Sequence, residues 1–134
     1  MLKTVLFCDQ KTAKRNIGQP DWAIISITTE RAGAGLHPGW LDVLLLEFQD
    51  TDNGNDPGCF QEFHAWVLND FVVRVKEKGA VGILVHCYAD ESRSAAVAKW
   101  IAMTNDLPFN DRYQQYNKLV YKVLREYALK QKSE

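Results

Sequence analysis

The sequence predicts a single α/β domain, spanning residues 1–134, in which helices flank a central, mostly parallel sheet of about four to five strands. Three observations support this prediction. Short apolar runs alternate along the chain with stretches of helical periodicity, which is typical of parallel α/β folds. The length of 134 residues is that of one domain. With 46% hydrophobic residues and four tryptophans, the chain can bury one core without disulfide bonds.

Apolar runs rich in branched side chains mark the strands. We predict strands over Thr4–Cys8, Trp22–Thr28, Leu41–Phe48 and Val81–Cys87. A single helical turn is expected over Lys11–Arg15, and a glycine-rich loop follows the second strand from Thr29 to Gly39.

Three longer helices are predicted. The clearest is amphipathic and runs from Phe60 to Lys78, ended by Gly79. Its predicted buried stripe leaves His64 on the exposed side and consists of Phe63, Trp66, Val67, Phe71 and Val75. An alanine-rich helix follows Ser94. The last helix is expected to be capped by Asn110 and to reach about Lys130.

Charge and cysteine content exclude several classes of function. The net charge is −1 and the basic residues are scattered, so we expect no nucleic-acid partner. The first apolar run is too short for a signal peptide or a membrane span. Three cysteines at irregular spacing indicate a reduced protein of the cytoplasm rather than a disulfide framework. We also expect a monomer without metal or cofactor.

The segment from His86 to Ser94 carries the chemistry. It places Cys87 at the end of a strand and Arg93 at the start of a helix, where backbone N–H groups and the helix dipole favour an anion. Such surroundings lower the pKa of a cysteine to roughly 3.5–7.5. The guanidinium of Arg93 matches two phosphate oxygens at once. Ser94 is placed to donate its hydroxyl to the thiolate, and His86 to brace the segment by hydrogen bonding.

The string His86-Cys87-x5-Arg93-Ser94 resembles the H-C-x5-R-[ST] loop of the cysteine-dependent protein tyrosine and dual-specificity phosphatases, small bacterial members in particular. The resemblance implies a phosphatase that forms a phosphocysteine on Cys87. It implies a phosphorylated protein or small phosphomonoester as substrate, and phosphate, sulfate or vanadate as ligands of the loop. The residues that would bind the phosphate are His86, Tyr88, Ala89, Asp90, Glu91, Ser92 and Arg93.

The segment departs from the family pattern at one place. Asp90, followed by Glu91, stands where glycine is usual. Asp tolerates the left-handed backbone region better than most residues. A carboxylate about 6 Å from a bound phosphate costs about 3 kcal/mol at an effective dielectric of about 20, and under about 1 kcal/mol in water. We therefore expect weaker phosphate binding and reduced activity.

The resemblance also implies a general-acid Asp on a loop that follows a strand upstream of the cysteine. Asp50 directly follows the third predicted strand and is the best match, and Asp52 is the second. Asp56 is also interpreted as the N-cap of the following helix, with Pro57 as its first residue. An acid is needed because the leaving oxygen departs as an alkoxide or phenoxide.

Two other functions stay open. A pseudophosphatase would hold a phosphorylated partner without turnover, and Asp90 and Glu91 favour it. A rhodanese-like sulfurtransferase also uses a cysteine loop with a nearby arginine, although its loop is typically one residue shorter.

Several weaker patterns are interpreted as structural. Cys8 is expected in the core, because Lys14 occupies the place where a low-molecular-weight phosphatase needs arginine. The acidic stretch after Asp50 does not fit a calcium loop. His37 is expected at the surface. Cys59 is a possible redox partner of Cys87 but is better explained by packing, and Arg31 is a candidate substrate contact.

Overall fold

In the computed structural model, residues 1–28, 36–88 and 91–133 are described. Residues 132 and 133 are described in backbone only. The strands are Thr4–Asp9 (β1), Trp22–Thr28 (β2), Asp42–Glu47 (β3) and Gly82–Cys87 (β4). They form one four-stranded sheet in the order β1-β4-β2-β3, and every strand pair is parallel. The predicted α/β domain with a central parallel sheet and flanking helices is confirmed.

The burial of each strand follows its place in the sheet. β4 lies between β1 and β2, and all six of its residues are buried, in keeping with its unbroken apolar run. β3 forms one edge, and its side chains are in large part exposed. Because the strands are parallel, the carboxyl ends of β1, β4 and β2 meet at one edge of the sheet, where open sheets place their sites.

The helices are Gln10–Arg15 (α1), Glu62–Glu77 (α2), Ser92–Thr104 (α3) and Lys118–Ser133 (α4). α1 begins where the carboxylate of Asp9 accepts a 2.8 Å hydrogen bond from the Thr12 N–H. The larger core lies between the sheet and α2, α3 and α4. A smaller cluster on the other face joins Cys8, Ala13, Ile24 and Leu84. The prediction that Cys8 lies in the core is confirmed.

The start of α2 differs from the prediction. Gln61, not Asp56, is the N-cap, and the Gln61 N–H donates to Nδ1 of His64 at 2.9 Å. The other ring nitrogen lies 3.1 Å from the carbonyl oxygen of Glu47, so His64 is buried rather than exposed. The predicted stripe is therefore rotated, and Phe63 and Trp66 are 58% and 59% exposed.

The start of α4 also differs from the prediction. Asn110 does not cap it: its Oδ1 accepts from the N–H of Arg112 at 3.1 Å and closes a local turn. The helix begins later, at Lys118, and Oδ1 of Asn117 accepts from the N–H of Val120 at 3.0 Å. In the part of the chain that the structure describes, no helix is long and apolar enough to cross a membrane.

Candidate functional site

Cys87 is the last residue of the central strand and is 2% exposed. The chain continues through Tyr88, whose side chain is 69% exposed and whose carbonyl oxygen accepts from the N–H of Gln10 at 3.0 Å. α3 then begins at Ser92. Ala89 and Asp90 lie outside the described residues, as does Arg31, so the predictions made for them stay predictions.

Ser94 lies beside the thiol of Cys87. Its Oγ is 3.2 Å from Sγ of Cys87, 3.2 Å from the carbonyl oxygen of Glu91 and 3.4 Å from that of Cys8. The hydroxyl carries one proton, so it donates to one of these acceptors at a time. When Cys87 is ionised, the charged sulfur is the strongest of the three acceptors. Ser94 is itself fully buried.

Arg93 is buried in the first turn of α3, with 5% of the residue exposed. Its Nη1 donates to the carbonyl oxygen of Phe48 at 2.7 Å, and its Cζ lies 5.9 Å from the centre of the Phe48 ring. Its Nε is buried and has no hydrogen-bond partner among the described residues. A buried cationic donor without an acceptor is costly, so this nitrogen is available to a bound anion.

Asp50 is the candidate acid that contacts the Cys87–Arg93 segment. Its Oδ1 accepts from Oγ of Ser92 at 3.1 Å and from Nδ2 of Asn117 at 2.8 Å. Asp52 lies farther along, with Oδ1 3.5 Å from the N–H of Leu119 in the first turn of α4.

Asp56 accepts from the N–H of Gly58 at 2.9 Å and closes a turn. Among the described residues, Asp50 is the one of the three predicted acids that contacts the segment holding Cys87 and Arg93. The three sequence-predicted elements of the site, the thiol, the guanidinium and one carboxylate, therefore converge at the carboxyl edge of the sheet.

Asn117 is a site residue that the sequence did not indicate. It is 4% exposed, its N–H donates to the carbonyl oxygen of Ser92 at 3.0 Å, and its Nδ2 also reaches the carbonyl oxygen of Thr51 at 3.2 Å. One side chain thus caps α4 and fixes the Asp50 loop against α3. The available signal was an asparagine directly before the apolar periodicity of the last helix.

The predicted bracing hydrogen bond of His86 is not seen among the described residues. His86 is fully buried, and neither ring nitrogen has a partner in residues 1–28, 36–88 or 91–133. Burial lowers the pKa of His86; the backbone of Cys87 opposes this effect, and the charge of Arg93 adds to it. The ring is therefore neutral near pH 7.

Glu91 has a φ of 57° and ψ of 9°, in the left-handed region, at the N-cap of α3. A side chain there costs roughly 1–2 kcal/mol relative to the right-handed region. Glu91 thus adopts a backbone conformation that glycine would adopt without strain.

The remaining candidates lie apart from this chemistry. Burial, followed by the charge of Asp9, raises the pKa of Cys8 to about 12, so its thiol is neutral. Cys59 is buried with Sγ 3.5 Å from the carbonyl oxygen of Gly54, and His37 is exposed as predicted. Among the described residues, no group of three His, Cys, Asp or Glu side chains is arranged to hold a metal ion.

Two known proteins match part of the sequence. Over 79 residues, which are 58% of this chain and 10% of the relative, it is 35% identical to MAP kinase phosphatase with leucine-rich repeats protein 2 of Dictyostelium discoideum. It is 34% identical over 79 residues to protein 1 of the same name and organism, of which the match covers 9%. The similarity is to phosphatases. No family model matches the sequence.

The extent of these matches limits what they imply. The chain spans about a tenth of the length of the curated relatives it matches. The similarity therefore suggests a phosphatase-like family. The narrower resemblance to small bacterial members stays a prediction.

Proposed function

We propose that this chain is a cysteine-dependent phosphatase of the tyrosine or dual-specificity kind that hydrolyses phosphate monoesters. One observation carries the proposal. At the end of the central strand, Ser94 contacts the sulfur of Cys87. The adjacent Arg93 is held in place by one nitrogen, and its buried Nε has no partner among the described residues. A phosphoryl group supplies the oxygen atoms that such a donor lacks. The partial similarity to phosphatases supports the same conclusion.

In the first step the thiolate of Cys87 attacks phosphorus in line with the ester oxygen. A sulfur–phosphorus bond forms as the phosphorus–oxygen bond breaks, and the departing oxygen takes a proton from Asp50. Arg93 and the backbone N–H groups at the start of α3 stabilise the charge on the equatorial oxygens. Ser92 and Asn117 hold Asp50 through one oxygen, which leaves the other oxygen to carry the proton.

In the second step water attacks the phosphocysteine and gives its proton to the Asp50 carboxylate. The sulfur–phosphorus bond breaks, inorganic phosphate leaves, and the sulfur departs as a thiolate that accepts a hydrogen bond from Ser94. The sum of the two steps is hydrolysis of the monoester by one water, and the residues return to their initial state. Neither step uses a metal or cofactor.

The proposed chemistry also bears on the cellular compartment, the substrate and the oligomeric state. A reactive thiolate requires a reducing compartment, for which the cytoplasm is the obvious candidate, and all three cysteines are free. The substrate is a phosphorylated protein or a small phosphomonoester, and a monomer suffices because the site lies within one chain.

A first experiment tests the nucleophile. The wild type should release phosphate from p-nitrophenyl phosphate in a vanadate-sensitive reaction, and Cys87→Ser should abolish it. Cys8→Ser is the matched control, because Cys8 is a second buried thiol at the same sheet edge and should retain activity. Equal activity of Cys87→Ser and the wild type would refute the proposal, and thiosulfate-to-cyanide sulfur transfer by Cys87 would favour the sulfurtransferase.

A second experiment identifies the acid. Asp50→Asn should lower kcat by about 10²–10⁴-fold with phenyl phosphate, and by much less with p-nitrophenyl phosphate, whose leaving group needs little protonation. Asp52→Asn and Asp56→Asn serve as controls and should behave as the wild type with both substrates. A selective loss in Asp52→Asn instead would transfer the role of acid to Asp52.

A pseudophosphatase is the second candidate, because Glu91 introduces a carboxylate where the phosphate would bind. Calorimetric binding of phosphate without release of product from aryl phosphates would favour it. If Asp90 and Glu91 instead only weaken binding, replacing them together by Asn and Gln, which removes both charges and nearly preserves side-chain shape, should lower KM. An unchanged KM would refute this electrostatic explanation of reduced activity.

A further inference from the structure

The start of α4 and the facing side of α3 carry a surface that the proposed reaction does not use. We call it the basic-aromatic patch, and it consists of Lys99, Tyr116, Lys118, Tyr121, Lys122 and Arg125. A cavity of about 380 Å³ lies here, lined by five of these residues together with Glu126 and Leu129.

Two tyrosine rings organise the patch. The rings of Tyr116 and Tyr121 pack edge to face with centres 5.4 Å apart. Nζ of Lys99 donates to Oη of Tyr116 at 3.2 Å and lies 5.0 Å from the centre of the Tyr121 ring. Nζ of Lys118 lies 3.4 Å from the centre of the Tyr116 ring, and Cζ of Arg125 lies 5.9 Å from that of Tyr121. Aromatic faces thus hold several cations close together.

The positive charge of the patch is not neutralised. None of its four cations lies within ion-pair distance of a carboxylate among the described residues, where the ion pairs involve Arg74, Lys78 and Lys130 instead. Glu126 is the single acidic side chain among the residues that line the cavity. The patch is therefore a locally cationic surface on a chain whose net charge is −1.

The patch is continuous with the candidate active site. Asn117, which holds Asp50 and contacts Ser92, lies in the sequence between Tyr116 and Lys118. Tyr116 and Lys118 are therefore linked to Arg93 through the contact between Asn117 and Ser92, a short separation that the residues next to a phosphate bound at Arg93 can span at about 3.3 Å per extended residue. Charge complementarity makes acidic residues the fitting occupant.

We propose that the basic-aromatic patch binds acidic side chains that flank the phosphorylated residue of a phosphoprotein substrate. The proposal rests on the proposed function for the place of the phosphate itself. Binding of the acidic segment, by contrast, depends on the four cations and not on turnover.

The experiment compares two phosphotyrosine peptides that differ only in having acidic or neutral residues around the phosphotyrosine. The readout is the ratio of their kcat/KM values, measured within each variant. The patch variant is Lys122→Ala with Arg125→Ala, and the matched control is Lys14→Ala with Arg15→Ala, which removes the same residue types from exposed positions of α1.

In the wild type the acidic peptide should be preferred, and in the patch variant this preference should fall by about five- to tenfold, since each exposed charge pair contributes modestly. The control should keep the wild-type ratio. The preference should also shrink as ionic strength rises from about 0.05 M to about 0.5 M. A wild-type ratio near one, or an undiminished ratio in the patch variant, would overturn the proposal.

A binding measurement separates the two proposals if no peptide is hydrolysed. In that case the proposed phosphatase function fails, and fluorescence anisotropy of an unphosphorylated acidic peptide on Cys87→Ser tests the patch by itself. Binding that is lost when Lys122 and Arg125 are replaced supports the patch. Binding of an RNA oligonucleotide or of phosphatidylserine vesicles through these two residues, without binding of the acidic peptide, would overturn it.

Discussion

Replacing Asn117 separates two tasks that one buried side chain performs. Its Oδ1 caps α4 through the Val120 N–H at 3.0 Å, and its Nδ2 binds the carboxylate of Asp50 at 2.8 Å. Loss of an asparagine cap costs about 1 kcal/mol. Because Asp50 is exposed, the hydrogen bond to it contributes as much as a typical one, about 1 kcal/mol.

Asn117→Ala should therefore lower the free energy of unfolding by about 2 kcal/mol. Asn117→Ser keeps a capping oxygen but is too short to reach Asp50, so it should recover about half of that loss. Urea denaturation followed by tryptophan fluorescence measures both values. Equal stabilities of the Ala and Ser variants would refute the assignment of Asn117 as the cap of α4.

Asn117→Asp tests the catalytic task. Aspartate keeps the cap but replaces the donor to Asp50 with a second carboxylate, which disfavours ionisation of Asp50. The protonated acid should then persist to higher pH, and the alkaline limb of kcat/KM should move upward. An alkaline limb unchanged from that of the wild type would mean that Asp50 is not the acid.

Three further predictions concern groups outside this contact. Because burial raises the pKa of Cys8 to about 12, about one Cys8 thiol in ten thousand is ionised at pH 8. Peptide mapping should therefore find Cys8 unlabelled by iodoacetamide in the native protein, and rapid labelling would contradict this. Burial lowers the pKa values of His64 and His86 from 6.5, so the unfolded chain binds these protons at higher pH than the folded protein. The free energy of unfolding should therefore fall as pH drops below about 6.5, by up to about 1.4 kcal/mol per pH unit for each ring. Urea midpoints that increase as the pH is lowered below about 6.5 would disprove this. Because Glu91 has a φ of 57°, Glu91→Gly should stabilise the fold by about 1 kcal/mol, whereas Glu91→Gln should not. Thermal denaturation measures both variants, and equal stabilisation by both would assign the effect to the charge of Glu91 rather than to its backbone.

Local patterns were sufficient to predict the sheet and the contact between Ser94 and Cys87. The four strands are apolar runs whose identity does not depend on their neighbours. Cys87, Arg93 and Ser94 lie within one short segment between a strand and a helix, so the covalent chain itself brings them together. For the same reason the contact between Ser94 and Cys87 could be anticipated.

The features that sequence analysis did not predict depend on residues distant in the chain. Asn110 and Asn117 are both plausible caps, and Asn117 is the one that contacts Asp50 and Ser92 across the fold. His64 is buried because the carbonyl oxygen of Glu47, at the end of β3, lies 3.1 Å from its ring. Helical periodicity alone contains neither contact.

The position of β4 has a consequence for synthesis of the protein. β1 is an edge strand whose strand partner in the described sheet is β4, and β4 is the last of these four strands to be synthesised. A nascent chain that has not yet produced residues 82–87 therefore holds β1 without a neighbour, and closing so distant a parallel pair is slow. The strand that completes the sheet also ends in Cys87. An incompletely folded chain consequently lacks the contact between Ser94 and Cys87, so the site of the proposed phosphatase forms only with the complete sheet.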